Sequence, residues 1–355
     1  MHNILEETTR VIEPVDFGLK ESVQSRLDNL TKPQGSLGRL EKLALRLALI
    51  KRNVFFSLAK KTIFVLAADH GIADSGISAF PKEVTAQMVY NFLNGGAAIN
   101  VLSRHFGAKV IVADMGVAHD FNDIDGLINK KINYGTKDFS SEPAMTKDEA
   151  RKSIEYGITL FTEEKMKTGI DIAGIGEMGI ANSSSASAIT AAVTGATIAE
   201  VTGRGTGIDD ERLLKKQAAI EGALNRLKPN KYDAFDLLSK VGGFEIGGMA
   251  GVILAAAANK TPVIIDGFIA GAAALIAQTI NKDALHYMIP SHKSAEPGHR
   301  IQLEYLGFEP YLDLNMRLGE GTGAAIMMGL CEASRKILQE MATFADAGVS
   351  NREDL

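Results

Sequence analysis

Two glycine-rich segments carry the acidic, hydroxyl and basic side chains that could do chemistry. Gly174–Gly179 (GIGEMG) contains Glu177 and is followed at once by Asn182–Ser185, whereas Thr202–Gly207 (TGRGTG) precedes a helical segment that carries Lys216. Glycine lets backbone N–H groups approach an oxyanion closely, and the first turn of a helix favours a phosphate. Both segments therefore indicate a site for a phosphate or another polar ligand, although each could also be a purely structural turn.

The spacing G-x-G-x-x-G at Gly174–Gly179 is also that of dinucleotide-binding loops, which would make the protein an NAD-dependent oxidoreductase. In those proteins an acidic residue ends the next strand, about 20 residues further on. Here the following residues are IANSSSASAITAAVTG, which contain no such strand, and Glu177 would place a carboxylate beside the pyrophosphate. The pattern therefore favours a monophosphate near a helix start and leaves a dinucleotide as the weaker alternative.

Glu320 lies in Leu314–Gly323 (LNMRLGEGTG), with a glycine on each side and a long helical segment directly after it. An acidic residue in the first turn of a helix commonly stabilises the helix dipole, which is one interpretation of this position. The other is a carboxylate base held by glycine turns where a substrate can approach closely. The pattern alone leaves both interpretations open.

The histidines do not form a recognisable metal or nucleophile motif. Asp69, His70, His292 and His299 follow predicted strands, but none of them has the H-x-x-H or H-E-x-x-H spacing of a zinc site. The chain also lacks the G-x-S-x-G turn that presents a nucleophilic serine. We therefore expect neither a bound metal nor a serine-based triad.

Composition excludes several classes of protein. Of the 355 residues, 46% are hydrophobic and 23% are charged, which is ordinary for a globular protein, and the formal net charge of −5 argues against nucleic acid as a partner. The single cysteine, Cys331, excludes an intrachain disulfide and fits a reducing compartment. The longest apolar runs fall short of the ~20 residues that a membrane span needs. We expect a cytoplasmic protein with no membrane partner.

The elements that must position these residues alternate along the chain. Apolar runs predict strands, and amphipathic segments between them predict helices. The predicted strands are Thr62–Ala68, Lys109–Ala113, Gly169–Ala173, Pro262–Ile265 and Leu285–Ile289. Strands that are apolar throughout are typical of parallel sheets covered by helices on both faces, and such sheets bind ligands at the carboxyl ends of their strands. The predicted fold is therefore α/β. Residues 62–320 would form the sheet domain, and residues 1–61 with 321–355 a small helical domain.

Several longer blocks together resemble one family, the nicotinate-nucleotide:dimethylbenzimidazole phosphoribosyltransferases. The likeness runs in order from about residue 10 to about residue 340. The blocks that carry it are LTKPQGSLGRLE at 30–41, AADHGIADSGISAFPKEVTAQMV at 67–89, NGGAAINVL at 94–102, GIGEMGIANSSSASA at 174–188, GRGTGIDD at 203–210, GGFEIGGMAG at 242–251, DGFIAGAAAL at 266–275, SHKSAEPGH at 291–299 and LNMRLGEGTGAA at 314–325.

This resemblance implies a Rossmann-like sheet domain, a small helical domain built from both termini, a homodimer, and no metal or organic cofactor. It implies transfer of the phosphoribosyl group of nicotinate mononucleotide to 5,6-dimethylbenzimidazole or a related base. The products would be α-ribazole 5′-phosphate and nicotinate, and the anomeric carbon would be inverted. From the residues alone, an oxidoreductase or a non-catalytic nucleotide-binding protein also stays open.

The resemblance also implies roles for individual residues. Glu320 is expected to be the general base, with Glu177 as a second acidic group at the reacting centre. The positions expected to bind the phosphate and ribose are Gly176, Ser183, Gly205, Lys216, Asp266 and Gly267. Residues 78–89 are expected to form one wall of the base pocket and Leu318 another, and the side chains expected there are Ala79, Phe80, Gln87, Met88 and Leu318.

Overall fold

A six-stranded parallel sheet organises the part of the chain that the computed structural model describes, residues 4–205 and 207–350. Its strands are β1 (Lys61–Ala68), β2 (Ala108–Gly116), β3 (Leu127–Asn129), β4 (Ile172–Met178), β5 (Val263–Ile265) and β6 (Met288–Pro290). They lie in the order β3-β2-β1-β4-β5-β6, and all neighbouring pairs are parallel. This order is that of the Rossmann fold, so the predicted fold class is confirmed.

Helices precede, connect and follow the strands. They are α1 (Ile4–Arg10), α2 (Lys20–Asp28), α3 (Arg39–Lys51), α4 (Glu83–Leu93), α5 (Ala98–Phe106), α6 (Lys147–Thr168), α7 (Asn182–Thr194), α8 (Ile198–Val201), α9 (Asp210–Leu227), α10 (Ala234–Val241), α11 (Phe244–Ala258), α12 (Phe268–Ile280), α13 (Pro297–Leu306), α14 (Thr322–Glu340) and α15 (Phe344–Ala347). Short 3-10 helices cover Gly71–Ser75 and Lys282–Tyr287. No helix in these described ranges is long and apolar enough to cross a membrane.

The sheet is buried on both faces because its strands are apolar at successive positions. Phe64 and Leu66 of β1 belong to the core on one face, where α6, α11 and α12 pack. Ile63 and Val65 point to the other face and pack in the core formed with α3, α5 and α14. Side chains of a strand alternate between faces, so a strand buried on both faces must be apolar throughout.

The two terminal segments meet on one side of the molecule. The Thr31 N–H donates to the Ala342 carbonyl and the Phe344 N–H to the Asn29 carbonyl, both at 3.0 Å. Helix α14 also covers β1, β4 and β5, while α1 lies on the opposite face against α6 and α11. Helix α14 therefore contacts the sheet directly, and the division of the terminal helices into a separate small domain stays a prediction.

Two predicted boundaries were wrong. The prediction that Gly174–Gly179 is a loop after a strand fails because β4 runs to Met178, so most of this segment is strand. Its glycines allow close packing, since a Cβ at Gly176 would lie 2.3 Å from the Glu320 carbonyl oxygen. The predicted strand Leu285–Ile289 begins only at Met288, because Lys282–Tyr287 forms a 3-10 turn.

Candidate active site

A cavity of about 480 Å³ opens at the carboxyl ends of the strands. This is the size of a small-molecule site, and the position is the one that parallel sheets use for ligands. Ten of the residues predicted to form the site line this cavity: Phe80, Met88, Glu177, Ser183, Gly205, Lys216, Asp266, Gly267, Leu318 and Glu320. The sheet therefore brings together side chains that are far apart in the sequence.

Glu320 is presented by an unusual backbone turn. Gly319, Glu320 and Gly321 have φ values of 90°, 62° and 89°, a left-handed region that costs a residue with a side chain about 1–3 kcal/mol. Asp266 holds the turn, because its carboxylate accepts the Gly321 N–H at 3.2 Å and the Ala324 N–H at 3.0 Å. Asp266 thus positions Glu320 and the start of α14.

The Glu320 carboxylate is buried and lies at the N-terminus of α5, where it accepts the Ile99 N–H at 3.2 Å. Burial raises the pKa of Glu320, and the Ile99 hydrogen bond partly opposes this effect. A carboxylate with a raised pKa is a better proton acceptor at neutral pH. Glu320 therefore does not lie in the first turn of α14, and its carboxylate instead meets the start of α5.

Glu177 lies near this turn, at the end of β4. A Cβ at Gly319 would lie 2.2 Å from Glu177 Oε1, so only glycine lets the turn approach so closely. Burial raises the pKa of Glu177 to about 8, the nearby acids Glu245 and Asp266 add to the effect, and a hydrogen bond from Asn182 opposes it. The Asn182 side chain is engaged here, and no side chain caps α7, which Ala181 precedes.

A cationic corner lies beside the two glycine-rich segments. The buried Lys216 ammonium donates to Ser183 Oγ at 2.9 Å and to the Gly203 carbonyl at 3.4 Å. Burial lowers the pKa of Lys216 to about 8, and the negative charge of Glu296 opposes the shift. Glu296 also accepts the Gly205 N–H at 3.0 Å. An ammonium, a hydroxyl and a helix N-terminus within one corner can bind a phosphate.

The cavity also has an apolar lining. The side chains that provide it include Ile77, Phe80, Val84, Met88 and Leu318. Phe80 is 52% exposed and Leu318 is 58% exposed, so large apolar surfaces remain open to solvent beside the cavity. A flat aromatic ligand could bind against these apolar surfaces, whereas the polar corner does not suit such a ligand.

Three predicted residues do not line the cavity. Ala79 and Gln87 are exposed, although their chain neighbours Phe80 and Met88 do line it. Gly176 is buried beneath the turn that carries Glu320. Its contribution is to leave room for that backbone.

Other residues of the cavity were missed by the sequence reasoning: Arg204, His292, Ser294, Glu296 and Arg317. Arg204 was part of a recognised glycine-rich segment, and Arg317 lies two residues before Gly319, so a search for arginine near those glycines would have found them. Glu296 belonged to no motif with a known spacing.

The histidines do not assemble a metal site. In residues 4–205 and 207–350, no group of three or more histidine, cysteine, aspartate or glutamate side chains could hold a metal ion. His70 instead contacts Glu245 at 2.7 Å and Ser185 at 3.1 Å in the buried interior. Because GIGEMG is strand rather than loop, the dinucleotide alternative is not favoured either.

Comparison with known proteins finds relatives over nearly the whole chain. A family model described as phosphoribosyltransferase matches residues 12–349. Two relatives, from Chloroflexus aggregans and Geobacter metallireducens, are both named nicotinate-nucleotide–dimethylbenzimidazole phosphoribosyltransferase. Each is 55% identical to this chain, and each comparison covers 99% of this chain and 99% of the relative. The crystal structure of CobT from Thermus thermophilus matches with a TM-score of 0.90 and 41% identity, over 94% of this chain and 99% of that chain.

Proposed function

We propose that this chain, which belongs to the nicotinate-nucleotide–dimethylbenzimidazole phosphoribosyltransferase family, moves the phosphoribosyl group of nicotinate mononucleotide to 5,6-dimethylbenzimidazole or a related base. The observation that carries the proposal is the division of one cavity into three parts. Lys216 and Ser183 suit the phosphate, an apolar wall suits the base, and two buried carboxyl groups lie where the two substrates would meet. The products are α-ribazole 5′-phosphate and nicotinate.

In the proposed reaction a benzimidazole nitrogen attacks the anomeric carbon from the face opposite the pyridinium. The bond from that carbon to nicotinate breaks, and its electron pair neutralises the pyridinium nitrogen, so the leaving group needs no acid. The configuration changes from β to α. Glu320 takes the proton that the benzimidazole N–H loses.

Glu177 acts on the sugar in this scheme. The transition state has oxocarbenium character, as in glycoside hydrolysis, and a nearby carboxylate stabilises that positive charge. A developing cation also favours the ionised form of a carboxyl group whose pKa burial has raised. The phosphate, held at Lys216, supplies binding energy that positions the sugar without taking part in the chemistry.

The direct test is a mass-spectrometric assay of nicotinate mononucleotide with a panel of bases, with NAD as the comparison ligand. We expect nicotinate release and a phosphoribosyl adduct with at least one benzimidazole, and weaker binding of NAD than of the mononucleotide. Binding without nicotinate release for every base would support a non-catalytic protein, and preferred binding of NAD would support an oxidoreductase.

Substitution Lys216→Ala tests the phosphate corner. We expect the KM for nicotinate mononucleotide to rise by about 10²-fold, because a charge-assisted hydrogen bond to the phosphate is lost, while the KM for the base changes little. Lys215→Ala removes a neighbouring exposed lysine and serves as the control. Equal rises in both KM values, or equal effects of the two variants, would contradict this assignment.

Substitution Met88→Phe tests the apolar wall. A larger side chain should reduce the space for the base, so we expect the preference among benzimidazoles to shift toward smaller bases by about 10-fold in kcat/KM. The KM for nicotinate mononucleotide should stay within about 2-fold, since Met88 contacts the base and not the phosphate in the proposed binding mode. A loss that is the same for every base would count against a base pocket at this wall.

The homodimer and the cytoplasmic location stay proposals. Sedimentation equilibrium of the purified protein would measure the first. Fractionation of the cells that produce it would measure the second.

A further inference from the structure

The segment after β6 forms a wall of the cavity with alternate side chains. His292, Ser294 and Glu296 line the cavity, whereas the intervening Lys293 and Ala295 donate backbone hydrogen bonds to the Leu312 and Met316 carbonyls. Glu296 lies at the Lys216 corner, and His292 lies near Asp266, which holds the Glu320 turn.

The hydrogen bonds of His292 fix which of its ring nitrogens carries the proton. Ser291 Oγ is 2.8 Å from the Asp266 backbone carbonyl and 2.9 Å from His292 Nδ1. A carbonyl can only accept, so the Ser291 hydroxyl donates to it and accepts from Nδ1–H. Only this assignment makes both contacts hydrogen bonds. In the neutral ring Nε2 is therefore an acceptor.

The Nε2 edge of the ring faces the cavity wall. A Cβ at Gly267, another residue of that wall, would lie 3.6 Å from His292 Nε2. Within the described ranges Nε2 has no hydrogen-bond partner, whereas Nδ1 is bonded to Ser291. Burial lowers the pKa of His292 to about 4, so the ring is neutral at physiological pH and Nε2 keeps its lone pair.

An acceptor at this place calls for a donor on the ligand. At neutral pH the phosphate and carboxylate of nicotinate mononucleotide are acceptors, and its pyridinium nitrogen carries no proton. Its ribose hydroxyl groups are the donors that remain. We propose that His292 Nε2 accepts a hydrogen bond from a ribose hydroxyl and thereby selects ribonucleotides over deoxyribonucleotides. The proposal rests on the proposed function and deepens it.

Two substitutions separate recognition from structural support. Asparagine can place its amide near the Nδ1 position and keep the Ser291 contact, but it does not reach the Nε2 position. Glutamine can reach the Nε2 position with its amide oxygen, but it does not keep the Ser291 contact. If Nε2 accepts from the sugar, His292→Asn should be the damaging variant and His292→Gln the tolerated one.

The experiment compares nicotinate release from nicotinate mononucleotide and from its 2′-deoxy and 3′-deoxy analogues. The measured quantity is kcat/KM for the ribonucleotide divided by kcat/KM for an analogue. For the analogue that lacks the bonded hydroxyl, we expect this ratio to be on the order of tenfold larger in wild type than in His292→Asn. His292→Gln should keep most of the wild-type ratio. The intrinsic reactivity of each analogue cancels, since the ratio is compared between enzymes that act on the same compounds.

Two outcomes would overturn the proposal: an unchanged ratio in His292→Asn, or the same ratio in both variants. Thermal unfolding of each variant shows whether it is folded. Calorimetric binding of ribose 5-phosphate and of 2- and 3-deoxyribose 5-phosphates needs neither base nor turnover, so it tests His292 separately. If wild type binds these sugars but never releases nicotinate, the proposed function fails, and the discrimination by His292 is still measured.

Discussion

Replacement of Glu320 by glutamine should lower kcat by about 10²–10⁴-fold, the usual contribution of general base catalysis, and leave both KM values nearly unchanged. Glutamine preserves the size of the side chain and its hydrogen bond from Ile99, but it cannot take the benzimidazole proton. Rates with saturating substrates measure the effect. Glu309→Gln removes an exposed carboxylate and is the matched control.

The same role predicts a pH dependence. A base works only when deprotonated, and burial raises the pKa of Glu320, so kcat/KM should rise with pH through a value above the ordinary range of glutamate. This rise should disappear in Glu320→Gln. The double variant with Glu177→Gln should be slower than either single variant. Near-wild-type turnover of Glu320→Gln at saturating substrates would falsify the assignment.

The second large effect concerns stability. Burial raises the pKa of Glu177 to about 8 and that of Asp266 to about 7 in the folded chain, above their ordinary values of 4.5 and 3.8. Between the unfolded and folded values the folded state binds more protons, so its stability falls as pH rises. The slope is about 1.4 kcal/mol per pH unit for each group. Burial also lowers the pKa of His292 to about 4 and that of His299 to about 3, so these two groups add stability as pH rises toward their ordinary value of 6.5 and offset the loss there. We therefore expect the ligand-free protein to lose stability mainly between pH 6.5 and pH 8.

Glu177→Gln isolates one of these groups. The variant should be more stable than wild type at pH 8 by several kcal/mol, and the two should converge toward pH 4.5, where the carboxyl group is neutral in both states. Urea unfolding at several pH values measures the difference. Glu211→Gln, at an exposed position of α9, controls for the loss of a charge. A constant difference at all pH values would mean that folding does not raise the pKa of Glu177.

The strand pattern predicted much of the fold. Apolar runs located β1, β2 and β5 to within a few residues, and the segments between the predicted strands proved helical. The family resemblance is confirmed by the relatives. The short edge strand β3 was not predicted, because it has only two apolar residues, Leu127 and Ile128, which are too few to form an apolar run.

The chemistry of the site was less visible, because it depends on approach between distant backbones. Gly176 was predicted to bind substrate, but its lack of a side chain instead admits the turn of Glu320. The place of His292 and Glu296 in the cavity could not be predicted either, because it depends on how a loop presents alternate residues to one cavity wall. The left-handed backbone conformation of Glu320 could not be predicted from composition, because it depends on the hydrogen bond from the Gly321 N–H to the distant Asp266 carboxylate.

The position of α14 has a consequence for synthesis. This helix covers the face of β1 that carries Ile63 and Val65, yet it is translated near the end of the chain. At ~5–20 residues per second, roughly 10–50 s separate the emergence of β1 from that of α14. During that time α3, α4 and α5 can pack on this side of the sheet, but the part that α14 covers stays open. We therefore expect the apolar surface beneath α14 to be accessible to chaperones until that helix has been synthesised.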